Sequence, residues 1–205
     1  LGARQGKYVE VGGVKVRKAI PGHNMPLAAL GVFILWFGWY GFNAGSELKV
    51  DAITTLAFLN TDVAASFAAI TWLIIEWVRE GRPKFVGLLT GAVAGLATIT
   101  PAAGFVPLWA AMIIGISAGA VCYIAVHFKN KWGWDDALDV WGVHGMGGFL
   151  GTVLLGVFAS SAINGQSGLL EGDTSFFIKE VVAVVGASAY AFIFTYVMLI
   201  VINLI

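Results

Sequence analysis

Apolar residues in this chain do not alternate with polar ones. They run in long blocks separated by short polar, proline-containing or glycine-containing breaks. A helix needs roughly 20 apolar residues to cross the hydrocarbon core of a bilayer. Six blocks are candidates, at residues 25–46, 52–78, 85–100, 105–127, 137–159 and 176–205, the third being short. A transmembrane β-barrel would show short segments alternating between apolar and polar, whereas residues 183–205 are apolar on every face. The pattern therefore predicts an all-α fold, a polytopic transmembrane helical bundle of six spans. Helix breakers agree with the boundaries: Pro21 and Pro26 precede the first span, Pro83 the third, and Pro101, Gly104 and Pro107 make the turn between the third and fourth.

Composition strengthens this reading. The chain of 205 residues is 59% hydrophobic and 12% charged, with mean hydropathy +0.85, and a soluble domain carries about twice that charged fraction. Its 27 glycines and 8 tryptophans suit membrane helices, where glycine permits close backbone approach and tryptophan sits at the lipid boundary. Cys122 is the only cysteine, which argues against a disulfide scaffold, and a formal net charge of +0 argues against nucleic acid as a partner.

The position of the charges says more than their sum. Arg4, Lys7, Lys15, Arg17 and Lys18 precede the first span, Arg79, Arg82 and Lys84 join the second to the third, and Lys129 and Lys131 join the fourth to the fifth, all on one side. Only Lys49 and Lys179 fall opposite. Basic residues accumulate on the cytoplasmic side, so both ends are expected there, in a cell inner (plasma) membrane. Residues 1–24 then read as a cytoplasmic loop, 25–160 as five spans, 161–175 as an extracytoplasmic loop and 176–205 as a final transmembrane helix. The glycine-rich, basic start at Leu1 and the apolar finish at Ile205 read as a fragment of something longer.

Few residues in the spans carry chemistry. Asp135, Asp136 and Asp139 open the fifth block, where carboxylates cap orphan N–H groups and complement the helix dipole. Asp139 lies deeper, and a structural contact with a neighbouring span competes for it. His144 lies further into the span, where a polar ring needs a partner or a water-accessible path. Burial favours its neutral imidazole, which accepts at one nitrogen, donates at the other, and suits handling ammonia without holding a cation. Gly142, Gly145, Gly147, Gly148 and Gly151 strip side chains from that helix and let neighbours approach. Leu35, Phe42 and Ser46 share a face of the first span, an apolar wall leading to a hydroxyl. Val140 lies one turn before His144 on the same face. His23 and His127 read as interfacial. Three dispersed histidines and one cysteine show no metal-site spacing, and neither metal nor cofactor is expected. Asp62 in the second span needs water, a partner or a shifted pKa. A helix or subunit interface is the first place for it, a conduction path the second.

The stretches Gly38-Trp-Tyr-Gly-Phe42-Asn-Ala-Gly-Ser46, Gly91-Ala-Val-Ala-Gly-Leu with Thr100-Pro101-Ala-Ala-Gly104, and Asp139-Val-Trp-Gly-Val-His144-Gly resemble, in order, three signatures of the ammonium transporter (Amt/Mep/Rh) family. The resemblance implies a homotrimer with a hydrophobic pore in each subunit, typically eleven spans, and an inverted repeat of five and five. On it this chain is similar to spans six to eleven, about six of the eleven. His144 would be the second pore histidine, Phe42 one of two gate phenylalanines and Ser46 part of the outer recruitment site, while the first pore histidine has no counterpart here. Trp141 stands where many members carry phenylalanine and Asp62 where a neutral residue is expected, so neither receives a family role. The expected function is passage of ammonium or ammonia, with Leu35 and Val140 as further pore wall and Asp139 as a structural residue beside it. Expected partners are the lipid bilayer and a cytoplasmic PII-type signal protein. The alternative is an ammonium sensor of the same fold. A membrane enzyme using His144 with haem or metal lacks a second ligand.

Overall fold

The computed structural model describes residues 8–11, 14–17 and 22–204. Arg4, Lys7, Lys18 and Pro21, on which part of the loop and orientation reading rests, lie outside them. Two short antiparallel strands, β1 (Tyr8–Val11) and β2 (Val14–Arg17), precede the helices, so a hairpin stands within what reads from sequence as loop. The helices are α1 (Met25–Gly45), α2 (Ala52–Glu80), α3 (Phe85–Ile99), α4 (Leu108–Lys131), a π-helical turn (Trp141–Gly145) continuing into α5 (Met146–Phe158), the short α6 (Ser161–Asn164), a 3₁₀ turn (Leu169–Glu171) and α7 (Thr174–Asn203). Five of these spans are long and apolar enough to cross a membrane: α1, α2, α4, the continuous stretch Trp141–Phe158, and α7. Short connections make successive long helices antiparallel neighbours.

Local chemistry sets the boundaries. Asn24 caps α1 by accepting from Leu27 N–H, with Pro26 in the first turn. Asp51 and Thr54 form a reciprocal capping box at the start of α2, and Gly81, at φ +75, ends that helix in the left-handed conformation that glycine adopts without strain. The fifth span begins at Val140 and Trp141 rather than at residue 137, because Asp136 takes its carboxylate back onto the N–H groups of Val140 and Trp141.

The core lies where α2 meets α3 and α4, the two largest helix interfaces. It is made of small residues: Ala64, Ala65, Ala68 and Ala69 of α2 are buried. A Cβ at Gly95 of α3 would come 2.5 Å from the Ala64 carbonyl, one at Gly115 of α4 2.5 Å from that same oxygen, and one at Gly119 2.6 Å from the Ala68 carbonyl. No larger side chain fits between these backbones. The α3 helix has 15 residues, about 22 Å at 1.5 Å per residue, too short for a core of about 30 Å. It tolerates this because its C-terminal two-thirds is buried in protein. Its exit turn is held from α2 by Asn60, whose amide donates to the carbonyls of Ala103 (2.9 Å) and Val106 (2.8 Å). At the other end of α3, the buried Glu76 accepts from Lys84 N–H at 3.1 Å.

Gly147 and Gly151 of the fifth span face this core, while Gly148 has open space beside it. A Cβ at Gly147 would meet Thr98 Oγ1 at 2.8 Å, and one at Gly151 the Thr98 carbonyl at 1.9 Å. By contrast, α7 packs mainly on α5 and the 3₁₀ turn and has no buried residue among those described. Such a long apolar surface needs lipid or protein to cover it.

Two measurements test this architecture. Gly115→Ala is expected to lower stability by roughly 1–3 kcal/mol through overpacking. Gly186→Ala, in α7 with no atom within 4 Å of the new Cβ, is expected to raise it by about 0.5–1 kcal/mol. Thermal unfolding in detergent reads both, and equal shifts would count against the small-residue core. In the 161–175 segment, Glu171 accepts from Ser160 Oγ (2.7 Å) and Ser161 N–H (2.9 Å). These bonds, the Ser160 hydroxyl first, bring its carboxyl down from 4.5 to about 2. A depressed carboxylate contributes its stability above the unfolded value of about 4.3 and loses it as pH falls through the folded one. The Tm advantage over Glu171→Gln should therefore hold above about pH 5 and vanish as pH drops towards about 2.

Candidate functional site

Leu35, Trp39, Phe42 and Ser46 recur at intervals of four, three and four along α1, which places them on one face. Trp39 organises this face. Its indole N–H donates to Thr100 Oγ1 at 2.8 Å, and the Thr100 hydroxyl donates to the Leu96 carbonyl at 2.8 Å. The end of α3 thus fixes the ring plane. Phe42 packs edge-on to Trp39, with ring centroids 5.9 Å apart at 75°. The His144 imidazole stacks on Trp39, with centroids 6.3 Å apart at 19°. Side chains from α1 and the fifth span, 105 positions apart, meet through one indole locked by a third helix.

Apolar grooves open on either side of this stack. One, of about 420 Å³, is lined by Ile34, Leu35, Gly38, Trp39 and Phe42. The other, of about 280 Å³, includes Met25, Val32, Thr90, Val93, Asp139 and His144. His144 is exposed on this face and Phe42 is 60% exposed. The enclosure expected around the histidine is therefore not supplied by this chain.

The structure brings four of the six named residues into this arrangement: Leu35, Phe42 and His144 around Trp39, and Asp139 beside His144. Ser46 follows the last turn of α1, its hydroxyl donating to the Phe42 carbonyl at 2.5 Å; the oxygen keeps lone pairs for another donor. Val140 is 51% exposed and its N–H is held by Asp136. Asp139 pairs with the Lys129 ammonium, the structural contact that sequence sets against a simple capping role. Asp62 accepts from Tyr40 Oη at 2.5 Å, and the Tyr40 ring stacks on Phe58 at 4.1 Å, so a helix contact accounts for it. His23 is exposed just before α1, and His127 is exposed on α4, stacked on Tyr123. Cys122 is buried. Sequence reading passes over Trp39, although it lies between Leu35 and Phe42 on the face already identified, and over Thr100.

Among the described residues no group of three or more metal-ligating side chains gathers at this apolar face. The sequence profile of the Ammonium Transporter Family matches residues 1–205. The chain belongs to the ammonium transporter family. It is 43% identical over 177 residues to the ammonium transporter Amt1 of Archaeoglobus fulgidus, covering 86% of this chain and 45% of that protein. To an ammonium transporter of Bacillus subtilis it is 44% identical over 185 residues, covering 89% and 46%. Among solved structures, Saccharomyces cerevisiae Mep2 superposes with TM-score 0.86 at 36% identity, over 89% of this chain and 45% of that one. This member of the family spans about half the length of the relatives it matches.

The Asp62 contact yields a check on this part of the bundle. Tyr40→Phe strands a carboxylate between α1 and α2 and is expected to cost about 1–3 kcal/mol. The double variant Tyr40→Phe with Asp62→Leu should recover most of that loss, since removing both partners leaves nothing unsatisfied. A double variant no more stable than the single one would show that Asp62 draws on other groups.

Proposed function

We propose that this chain forms one wall of a pore that recruits ammonium at its outer mouth and passes ammonia across a cell membrane. The observation that carries the reading is the His144 imidazole stacked on Trp39 in an otherwise apolar face, between Leu35 and Phe42 on one side and Asp139 on the other. Stripping an ammonium ion of water inside such walls is prohibitive, whereas neutral ammonia crosses them readily. Recruitment therefore belongs where Ser46 offers an acceptor and Phe42 an aromatic face, which contributes cation–π attraction of about 0.5–2 kcal/mol. There NH4+ gives its proton to water, NH3 moves along Leu35, His144 and Val140, and the proton is carried across with it, so that one charge crosses per molecule and the flux reads as a current. The imidazole accepts a hydrogen bond from the passing molecule at one nitrogen or donates one to it from the other. The names of the relatives support ammonium as the solute.

The exposure of this face supports a pore completed by a second wall, in keeping with relatives about twice as long. The same reading takes the assembled protein as a homotrimer in the inner membrane, both ends of this segment cytoplasmic, with a PII-type protein as a cytoplasmic partner. Sensing is the rival, and a solved structure called Sensor Amt Protein superposes with TM-score 0.72 at 34% identity, below the 0.86 of Mep2. Transport is the better supported reading.

The test is made in a protein of the relatives' full length that carries this chain. His144→Leu removes an exposed polar ring for a side chain of similar volume and is expected to leave Tm within about 1 °C, a shift corresponding to roughly 1 kcal/mol in a protein of that length, while abolishing the ammonium-evoked current in liposomes. His144→Glu, which restores a titratable group, should keep some current with relaxed selectivity among cations. A stable His144→Leu protein with undiminished current would remove His144 from the mechanism.

A further inference from the structure

The turn that presents His144 is built from irregular backbone, and each irregularity is tied to α4. Asp139 has φ +55, a left-handed conformation that aspartate visits more readily than most residues, and its carbonyl accepts from Val143 N–H at 2.8 Å. The Asp136 carboxylate takes the N–H groups of Val140 (3.0 Å) and Trp141 (2.8 Å). The turn Trp141–Gly145 is then π-helical, with Met146 N–H reaching back to the Trp141 carbonyl. One inserted residue of this kind rotates every later side chain by about 100° relative to an uninterrupted α-helix. The direction of the His144 ring is thus a consequence of how this turn is phased.

Lys129 lies against it. It is 3% exposed, its ammonium donates to the Asp136 carbonyl at 2.8 Å, and it pairs with the Asp139 carboxylate. Its own carbonyl accepts from Trp134 N–H at 3.2 Å, closing the connection on itself. Three residues earlier on α4, Val126 fills the space that a Cβ on Gly142 would need, 2.7 Å away. The turn is therefore held at two points by one face of α4, apolar at Val126 and ionic at Lys129. A buried ion pair is a weak source of net stability because both charges lose their water. Its geometric effect is larger: if Asp139 left its left-handed conformation, the buried ammonium would lose its counter-charge and keep the Asp136 carbonyl.

We propose that Lys129 is a positioning residue for His144. By holding Asp136 and Asp139 against α4 it sets the phase of the π-helical turn at which the imidazole meets Trp39, and it does so without touching the solute. The effect on conduction rests on the transport reading; the effect on ring geometry does not.

The imidazole lies over an indole, so its proton resonances carry the indole ring current and report the stacking directly. In a full-length protein labelled at histidine, with the His144 signal assigned by its loss in His144→Gln, Lys129→Met is expected to move those resonances towards the values of the exposed His23. Lys129→Arg should keep the parent shifts. Ammonium-evoked current should fall about tenfold or more in Lys129→Met, since small misplacements of a working group are costly, and be retained in Lys129→Arg. Unmoved resonances in a folded Lys129→Met protein would overturn the positioning role. Moved resonances with an unchanged current would support it and overturn the part assigned to His144 in conduction. If Lys129→Met does not fold, Asp139→Asn, which keeps the volume and removes the charge, is read in the same way.

Discussion

Close approach of helix backbones through glycine and alanine is the constraint on which the rest of this structure depends. In a bilayer, apolar side chains gain nothing by leaving lipid for protein, so helices associate through van der Waals packing and interhelical hydrogen bonds, both of which need short separations. Ala64 and Ala68 of α2, facing Gly95 of α3 and Gly115 and Gly119 of α4, supply that separation. Once α3 is seated, its far end positions Thr100 and through it Trp39. The backbone of Thr98 receives Gly151 of the fifth span, which carries His144 on its preceding turn. The site is downstream of the packing.

Several polar groups inside the bundle tie one helix or turn to the next. Asn60 holds the α3–α4 turn, Glu76 the α2–α3 turn, Asp62 ties α2 to Tyr40 of α1, and Lys129 ties α4 to the start of the fifth span. Each replaces water that the interior lacks, and each leaves a buried group stranded if its partner is lost. Such contacts add little net stability but discriminate strongly between one register of helices and another.

Among the uncovered surfaces of the described residues, two differ in kind. The face of α1 and the fifth span carries the stacked aromatic and imidazole rings and two grooves, whereas α7 presents a mostly apolar surface. On the proposed pore reading, the first of these surfaces is the one that meets a second wall. A sensor would use the same face to bind the same cation, so the distinction between the readings lies in flux rather than in this wall.

Hydrophobic blocks, helix breakers and glycine spacing are local in sequence. They were enough to define the helices to within a few residues, the short third span, the small-residue face of the fifth span, and His144 with Leu35 and Phe42 as the residues of interest. A span in lipid must be apolar along its whole length, and that requirement is written residue by residue. What only the tertiary structure decided is which side chains meet across helices: the stack of His144 on Trp39, the Tyr40 contact that accounts for Asp62, and the burial of Lys129 beneath the turn that starts at Asp139. Lys129 reads in sequence as one more interfacial cation, Asp136 as an ordinary cap, and Asp139 as either a cap or a contact with a neighbouring span that the sequence does not name. A left-handed residue and a π-helical turn depend on energy differences of a few kcal/mol at most, which neighbours distant in the chain settle. Composition and periodicity specify a helix's faces, but the rotation of one helix against another is chosen only when the backbones touch.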